Sequence, residues 1–488
     1  MNTRQEKDFL GSMDIPENAY FGIHSLRARE NFPGQERFSL EWFKAIALTK
    51  LAIYKATDLF QDELTKQYPN DIMPLRIPEK AKLKALIQAA EEASTGKHFE
   101  HFIVPGISGG AGTSLNMNMN EIICNRALEI INFKPGNYSV IDPIEGANIF
   151  QSTNDVIPTS LRVSLMKEVS FLEENTNETR LIFERLEQAH RHSLRIGYTQ
   201  MQEAVPSSYG NLFGAYQEAL SRDWWRLSKI SERLKVINLG GSAIGTGITV
   251  PQFVIFKATE ELRALAGLPL ARAEQLSDAT MNLDPLVESH AILKSHAVNL
   301  EKISSDLRLL GSDLFKNRTL EIPPRQMGST IMPGKVNPVI SEYVISLAHA
   351  VYANDQIITS LSAQGTLELN AYLPIIGNAF LDSLKKLQAA NLSLREYLLK
   401  GLTIDILKSQ SSLFSSASIT TVLVPFIGYN KAADLAKLMK TEEIDIFMAN
   451  KKMSILSEEK LSELLNPANL LRLGFKVSDL VKLNNSKE

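Results

Sequence analysis

The chain has 488 residues, 44% hydrophobic and 22% charged, with a formal net charge of −3 and a single cysteine, Cys124. A length of this size holds roughly two to four domains. The charge leaves no broad basic surface for nucleic acid or an acidic membrane, and one cysteine excludes an intrachain disulfide. Met1 to Asp14 is polar and charged, without the apolar run of a secretory leader. The longest apolar runs, such as Val422 to Ile427, are too short to span a bilayer. These features lead us to expect a cytoplasmic globular protein with neither a membrane nor a nucleic-acid partner.

Along the chain, the residues before about Asn148 read as short helical stretches among Pro- and Gly-rich turns, with Ile103 to Gly112 as a loop. Beyond that point the pattern is of long amphipathic helices. Asp155 to Arg191 predicts one long helix, with Pro158 near its first turn, where proline is tolerated. Its weak point is Asn175 to Asn177. Phe213, Tyr216, Leu220, Trp224, Leu227, Ile230 and Leu234 follow one another at helical spacing, and so do Leu293, Ala297, Leu300, Ile303, Leu307 and Leu310. Such stripes cannot be buried by one helix alone and call for a bundle, often completed across subunits. From about Gly401 short helices return, punctuated at Gly428, Pro467 and Gly474. The reading is therefore mainly all-α, with an N-terminal domain (1–147), a central helical bundle (148–400) and a small C-terminal helical domain (401–488).

Four polar segments interrupt this pattern. In Gly109 to Asn120 (GGAGTSLNMNMN) the glycines let the backbone approach a ligand and Thr113 and Ser114 offer hydroxyls, although a capped helix start explains the same residues. Gln151 to Asp155 (QSTND) places consecutive polar side chains before a helix, as a cap or as an anion site. Tyr198 to Pro206 (YTQMQEAVP) reads as an interhelical loop in which Thr199 and Gln200 can bind a small polar ligand. Gly328 to Pro338 (GSTIMPGKVNP) carries Ser329, Thr330, Lys335 and Asn337 on a backbone suited to hold an oxyanion and to close over a site. A plain surface loop does not account for Ile331, Met332 and Val336 within it. The eight histidines show no metal-ligand spacing, His290 and His296 falling on different helix faces, and no phosphate-binding or dinucleotide fingerprint is present. The sequence asks for no cofactor and no metal.

GSTIMPGKVNP resembles the signature GSxxMPxKxN of the aspartase/fumarase superfamily. GTSLNMNMNE, QSTND followed by PTSLRV, TQMQEAVP, YFGIHSLRARENF (Tyr20 to Phe32), LGGSAIGTG (Leu239 to Gly247) and LELN (Leu367 to Asn370) resemble other blocks of that family in the same order. The resemblance covers nearly the whole chain. It implies three domains, a central five-helix bundle, and a homotetramer whose twenty helices form one core, with active sites shared between subunits.

Within the family the details resemble aspartate ammonia-lyases. QSTND stands where fumarases more often read QSSND, GGAGTS where they read GSGTQ, and FGIHSLRARENF where they tend to read YGAQTQRALENF. Gln200 stands where fumarases carry a histidine and bacterial aspartases show either residue. The expected reaction is elimination of ammonia from L-aspartate to give fumarate; a class II fumarate hydratase or a non-catalytic homologue are the alternatives. The resemblance makes Ser329 the general base. It assigns the β-carboxylate to Thr113, Ser152, Thr153 and Thr330, the α-carboxylate to Lys335 and Asn337, and the ammonium to Asn154 and Gln200, with Thr199 helping to orient. The chain departs from the family at DPIEGAN (Asp142 to Asn148), which replaces HPNDHVN and puts in doubt a second dicarboxylate site known in fumarases. Tyr198 and Ser108 also depart, standing for an arginine and a glutamine, while Thr330 keeps the hydroxyl of a usual serine.

Overall fold

The computed structural model describes residues 2–69, 75–315 and 318–477. After an antiparallel pair of strands, β1 (Thr3–Asp8) and β2 (Gly11–Pro16), the chain is mainly helical: α1 (Ile23–Asn31), α2 (Leu40–Gln67), α3 (Lys80–Ser94), α4 (Thr113–Ile130) and α5 (Thr153–Ala189). A second hairpin, β3 (Leu194–Thr199) and β4 (Gln202–Ser208), leads to α6 (Tyr209–Ser228), α7 (Ile230–Leu234), α8 (Gln252–Ala266), α9 (Leu276–Met281), α10 (Asp284–Leu310), α11 (Val339–Ser362) and α12 (Leu373–Ser393). Short helices follow between Ile406 and Leu470. No single helix among the described residues is long and apolar enough to cross a membrane.

The long helix read from the sequence forms as α5, 37 residues without a break at Asn175–Asn177. Pro158 lies inside it and has no N–H for the carbonyl of Asn154 one turn earlier. That carbonyl accepts instead from Asn238 Nδ2 at 2.9 Å. The stripe from Phe213 to Leu234 is buried as expected except at Trp224, but it is divided between α6 and α7 around Lys229. The stripe on α10 is buried from Leu293 to Leu307.

Two features differ from the sequence reading. The N-terminal region contains α2, a helix of 28 residues, where short helices were expected. From Trp42 to Thr57 most of its positions are buried whichever way they point, so it carries no one-sided stripe to read. Trp42, in its first turn, is fully buried, with Nε1 donating to Ser160 Oγ of α5 at 3.0 Å. The segment Tyr198 to Pro206, expected as an interhelical loop, belongs to the β3–β4 hairpin.

The chain forms two compact units, each assembled from three stretches: Met1–Glu173, Trp225–Ser295 and His349–Leu387 in the first, and Glu174–Trp224, His296–Ala348 and Gln388–Glu488 in the second. In the second unit Leu194 and Ile196 of β3 join Leu413, Ile419, Leu435, Ile446 and Leu461 in one buried cluster. The two histidines on α10 serve the cores. His290 bonds Asp355 Oδ1 and Ser383 Oγ, each at 2.9 Å, in the first unit. His296 bonds Asp223 Oδ2 at 2.9 Å and Asn391 Nδ2 at 2.8 Å in the second.

Candidate active site

Each unit holds part of the predicted site. In the first, the chain enters α4 through Gly110, Ala111 and Gly112, all with positive φ (82°, 57° and 92°). A Cβ on Gly112 would lie 3.0 Å from Ile157 Cγ2, so glycine is required there both for the conformation and for the close approach of α5. Thr113 is the first residue of α4 and is exposed. One turn on, Asn116 Nδ2 donates to Asn148 Oδ1 at 3.1 Å and to Thr153 Oγ1 at 3.3 Å, joining the start of α4 to the start of α5. The structure thus brings the first and second polar segments together. Both are helix starts, and both present hydroxyls at helix N-termini, where free N–H groups favour an anion.

The turn before α5 is held from beneath. Ser152 N donates to Asp155 Oδ1 at 2.9 Å, and Asn154 N donates to Ser152 Oγ at 3.3 Å, a reciprocal capping arrangement. Ser152, Thr153 and Asn154 are each half-buried. Asn154 Nδ2 donates to Ala243 O at 2.8 Å, which commits its amide nitrogen and leaves its oxygen as the acceptor. Beneath them Asp155 and Lys50 are fully buried. Burial pushes the Asp155 carboxyl up to about 6 and the Lys50 ammonium down to about 7.

In the second unit Thr199 pairs with Gln202 across the hairpin, so Gln200 and Met201 form a two-residue turn. Both have positive φ (51° and 61°), which costs about 1–2 kcal/mol per non-glycine residue. Thr199 and Gln200 are exposed at this tip. The signature loop closes on itself: Gly328 N donates to Lys335 O at 2.7 Å and Asn337 Nδ2 to Gly328 O at 2.8 Å. Ser329 Oγ accepts from the backbone N–H groups of Ile331 (3.2 Å) and Met332 (2.9 Å). Two such donors stabilise negative charge on that oxygen. Met201, Lys335 and Asn337 line one cavity of about 950 Å³, together with Arg308 and Glu342, which pair at 3.1 Å. Ser329 and Thr330 sit on the loop outside that lining. Ile331 and Met327 are 85% and 89% exposed, so the loop's apolar residues are not a core of its own.

At DPIEGAN the Asp142 carboxylate accepts from the N–H groups of Ile144 (2.7 Å) and Glu145 (2.8 Å). Both amides are therefore already satisfied by a side chain of the segment itself. Sequence reasoning missed Lys50, Asp155 and Asn238 as supports of the site. The serine-to-aspartate spacing of a capping box, Ser152 to Asp155, was the available signal for one of them. Among the described residues no group of three or more His, Cys, Asp or Glu side chains is placed to hold a metal ion.

Comparison with known proteins places the chain in a family. The Lyase family matches residues 11–353, and the fumarase C C-terminus matches residues 419–472. The chain is 36% identical to an aspartate ammonia-lyase of Bacillus sp over 478 residues, which is 97% of this chain and 99% of that protein. It is 34% identical to the aspartate ammonia-lyase of Escherichia coli (strain K12) over 480 residues, 97% of each. Among solved structures, fumarate lyase:delta crystallin from Brucella melitensis bound to cobalt matches with a TM-score of 0.89 and 34% identity, over 97% of this chain and 100% of that one. A class II fumarase from Schistosoma mansoni shares the fold, with a TM-score of 0.83 and 24% identity over 96% and 98% of the two chains. The chain is a lyase, and it belongs to the aspartase/fumarase superfamily.

Proposed function

We propose that the protein is an aspartate ammonia-lyase, a carbon–nitrogen lyase that eliminates ammonia from L-aspartate to give fumarate, with Ser329 as the general base. The observation that carries the base assignment is the pair of backbone N–H groups directed at Ser329 Oγ. A serine hydroxyl is ordinarily too weak an acid to supply an alkoxide, and these donors act on the charged form. Ser329 removes a proton from the β carbon. The C–H electron pair moves into the β-carboxylate, giving an enediolate held by the hydroxyls of Thr113, Ser152, Thr153 and Thr330. The enediolate then collapses, the C–N bond breaks with its pair leaving on ammonia, and fumarate remains. Lys335 and Asn337 hold the α-carboxylate. Asn154 and Gln200 accept from the ammonium, and Thr199 orients it. Gln200 supports ammonia over water as the leaving group, because a neutral amide can accept from an ammonium but does not take up or supply a proton. The curated relatives, aspartate ammonia-lyases at 34–36% identity along nearly the whole chain, support the same reading.

The assay is direct. Purified protein with L-aspartate is expected to produce fumarate, followed by its ultraviolet absorbance, and fumarate with concentrated ammonium is expected to be consumed. Turnover of L-malate without turnover of L-aspartate replaces this reading with a fumarate hydratase. Activity with neither substrate leaves a non-catalytic homologue. Lys335→Ala is expected to weaken succinate inhibition about tenfold to a hundredfold, the scale of one hydrogen bond to a charged group. An unchanged succinate Ki removes Lys335 as a carboxylate ligand.

The same reading takes the protein as a homotetramer of chains with domains 1–147, 148–400 and 401–488. At 1.5 Å per residue the 37 residues of α5 run about 55 Å. That is far longer than a four-carbon substrate, so the residues before its first turn and those beyond its last come to one site from different subunits. Exposed apolar side chains on the long helices, among them Phe171, Leu181, Trp225, Val298 and Leu392, supply surface for that packing.

A further inference from the structure

The block Leu239 to Gly247 has no role in the chemistry above, yet the turn that is to bind the β-carboxylate is built onto it. Three hydrogen bonds make the junction. Ser242 N donates to Asp155 Oδ2 at 3.0 Å, while the other oxygen of the same carboxylate takes Ser152 N. Asn238 Nδ2 donates to the Asn154 carbonyl that Pro158 leaves without a helical partner. Asn154 Nδ2 donates back to Ala243 O. Asn238 is itself fixed: its Nδ2 also reaches Thr280 Oγ1 at 2.9 Å and its Oδ1 accepts from Thr159 Oγ1 at 3.3 Å. On the other side, Lys50 Nζ donates to Gln151 Oε1 at 2.9 Å. Asp155, Asn238 and Lys50 are all buried. None of them is placed to touch a ligand held by the hydroxyls of Ser152 and Thr153, because their polar atoms are engaged with backbone and side chains on the inner side of the turn.

A buried ionic group seldom stabilises a fold more than well-packed apolar residues do. A carboxylate that receives two backbone N–H groups from separate segments, by contrast, fixes the distance between them. We propose that Asp155 and Asn238 are positioning residues that lock the Ser152–Asn154 turn to the 238–247 loop and thereby set the spacing of the carboxylate-binding hydroxyls. Pro158 belongs to the device, since it frees the Asn154 carbonyl for Asn238. The inference rests on the reading of this turn as a dicarboxylate site.

The test uses succinate as the probe and its Kd by calorimetry on the full-length protein. Asp155→Asn keeps one acceptor but turns an NH2 towards the second amide; it is expected to raise the succinate Kd about tenfold. The deciding readout is a double-mutant cycle. In a Ser152→Ala background, Asp155→Asn is expected to add less than about threefold, because it acts through that turn. In a Lys335→Ala background it is expected to keep its full effect, because Lys335 holds the other carboxylate. Equal effects in all three backgrounds, or no effect in the wild type, overturn the proposal. Should Asp155→Asn not fold, Asn238→Asp, which has the same shape but cannot donate to the Asn154 carbonyl, takes its place in the same cycle. If Ser152→Ala leaves the Kd unchanged, or the wild type does not bind succinate, the dicarboxylate reading itself fails and this inference falls with it.

Discussion

Ser329→Ala is expected to lower kcat for L-aspartate by about 10³–10⁴-fold, the upper end of what a general base supplies. The loop should survive the change. Its closure depends on the bonds from Gly328 N to Lys335 O and from Asn337 Nδ2 to Gly328 O, neither of which uses the serine side chain. The N–H groups of Ile331 and Met332 lose their acceptor, but Ile331 is exposed and Met332 nearly half so, and water replaces it. Succinate affinity and thermal stability are therefore expected to stay near the wild-type values while turnover collapses. Retention of a sizeable share of wild-type turnover excludes Ser329 as the base. Loss of succinate affinity in parallel with turnover assigns the residue to binding instead.

A second large effect is expected from mixing two dead proteins. Ser329→Ala and Asn154→Ala, each inactive alone, are unfolded together and refolded. If every site takes its signature loop and its α5 start from different chains, random assembly leaves both segments intact in about one site in four, so about a quarter of wild-type activity returns. If each chain builds its own site, every site carries one lesion or the other and nothing returns. Mass measurement of the mixed oligomer distinguishes that result from failure to mix.

The legible parts of the fold were those with a one-sided apolar pattern. The extent of α5 was legible to within two residues at each end, and the stripe from Leu293 to Leu310 found the C-terminal two thirds of α10 but not its start at Asp284. α2 has the opposite character: with burial on most sides from Trp42 to Thr57, its composition does not alternate, and a run of apolar residues does not tell a helix how long to be. The β3–β4 hairpin was hidden by its turn. Leu194, Ile196 and Tyr198 do alternate, but Gln200 and Met201 occupy left-handed positions that usually fall to asparagine and glycine, so the commonest hairpin signal is missing. At the site, the side chains proposed to meet a ligand lie in polar runs visible by composition. Those that hold the runs in place do not: Lys50 is one lysine in an apolar helix, Asn238 one asparagine before a glycine pair, and each acquires its meaning only from a partner about a hundred residues away in the chain.

The interleaved make-up of the two compact units bears on how the chain is made. The first unit needs residues up to Leu387 and the second needs the stretch that begins at Gln388. During synthesis, with the N-terminal part emerging first, neither unit has all its pieces until most of the polypeptide has left the ribosome. The buried side chains of α5 and α10 are out before the later stretches of either unit. Nascent chains are therefore expected to spend much of their synthesis with helix faces uncovered, and so to be more open to proteolysis than the finished protein. A chain cut short before position 387 is therefore expected to lack pieces of both units at once.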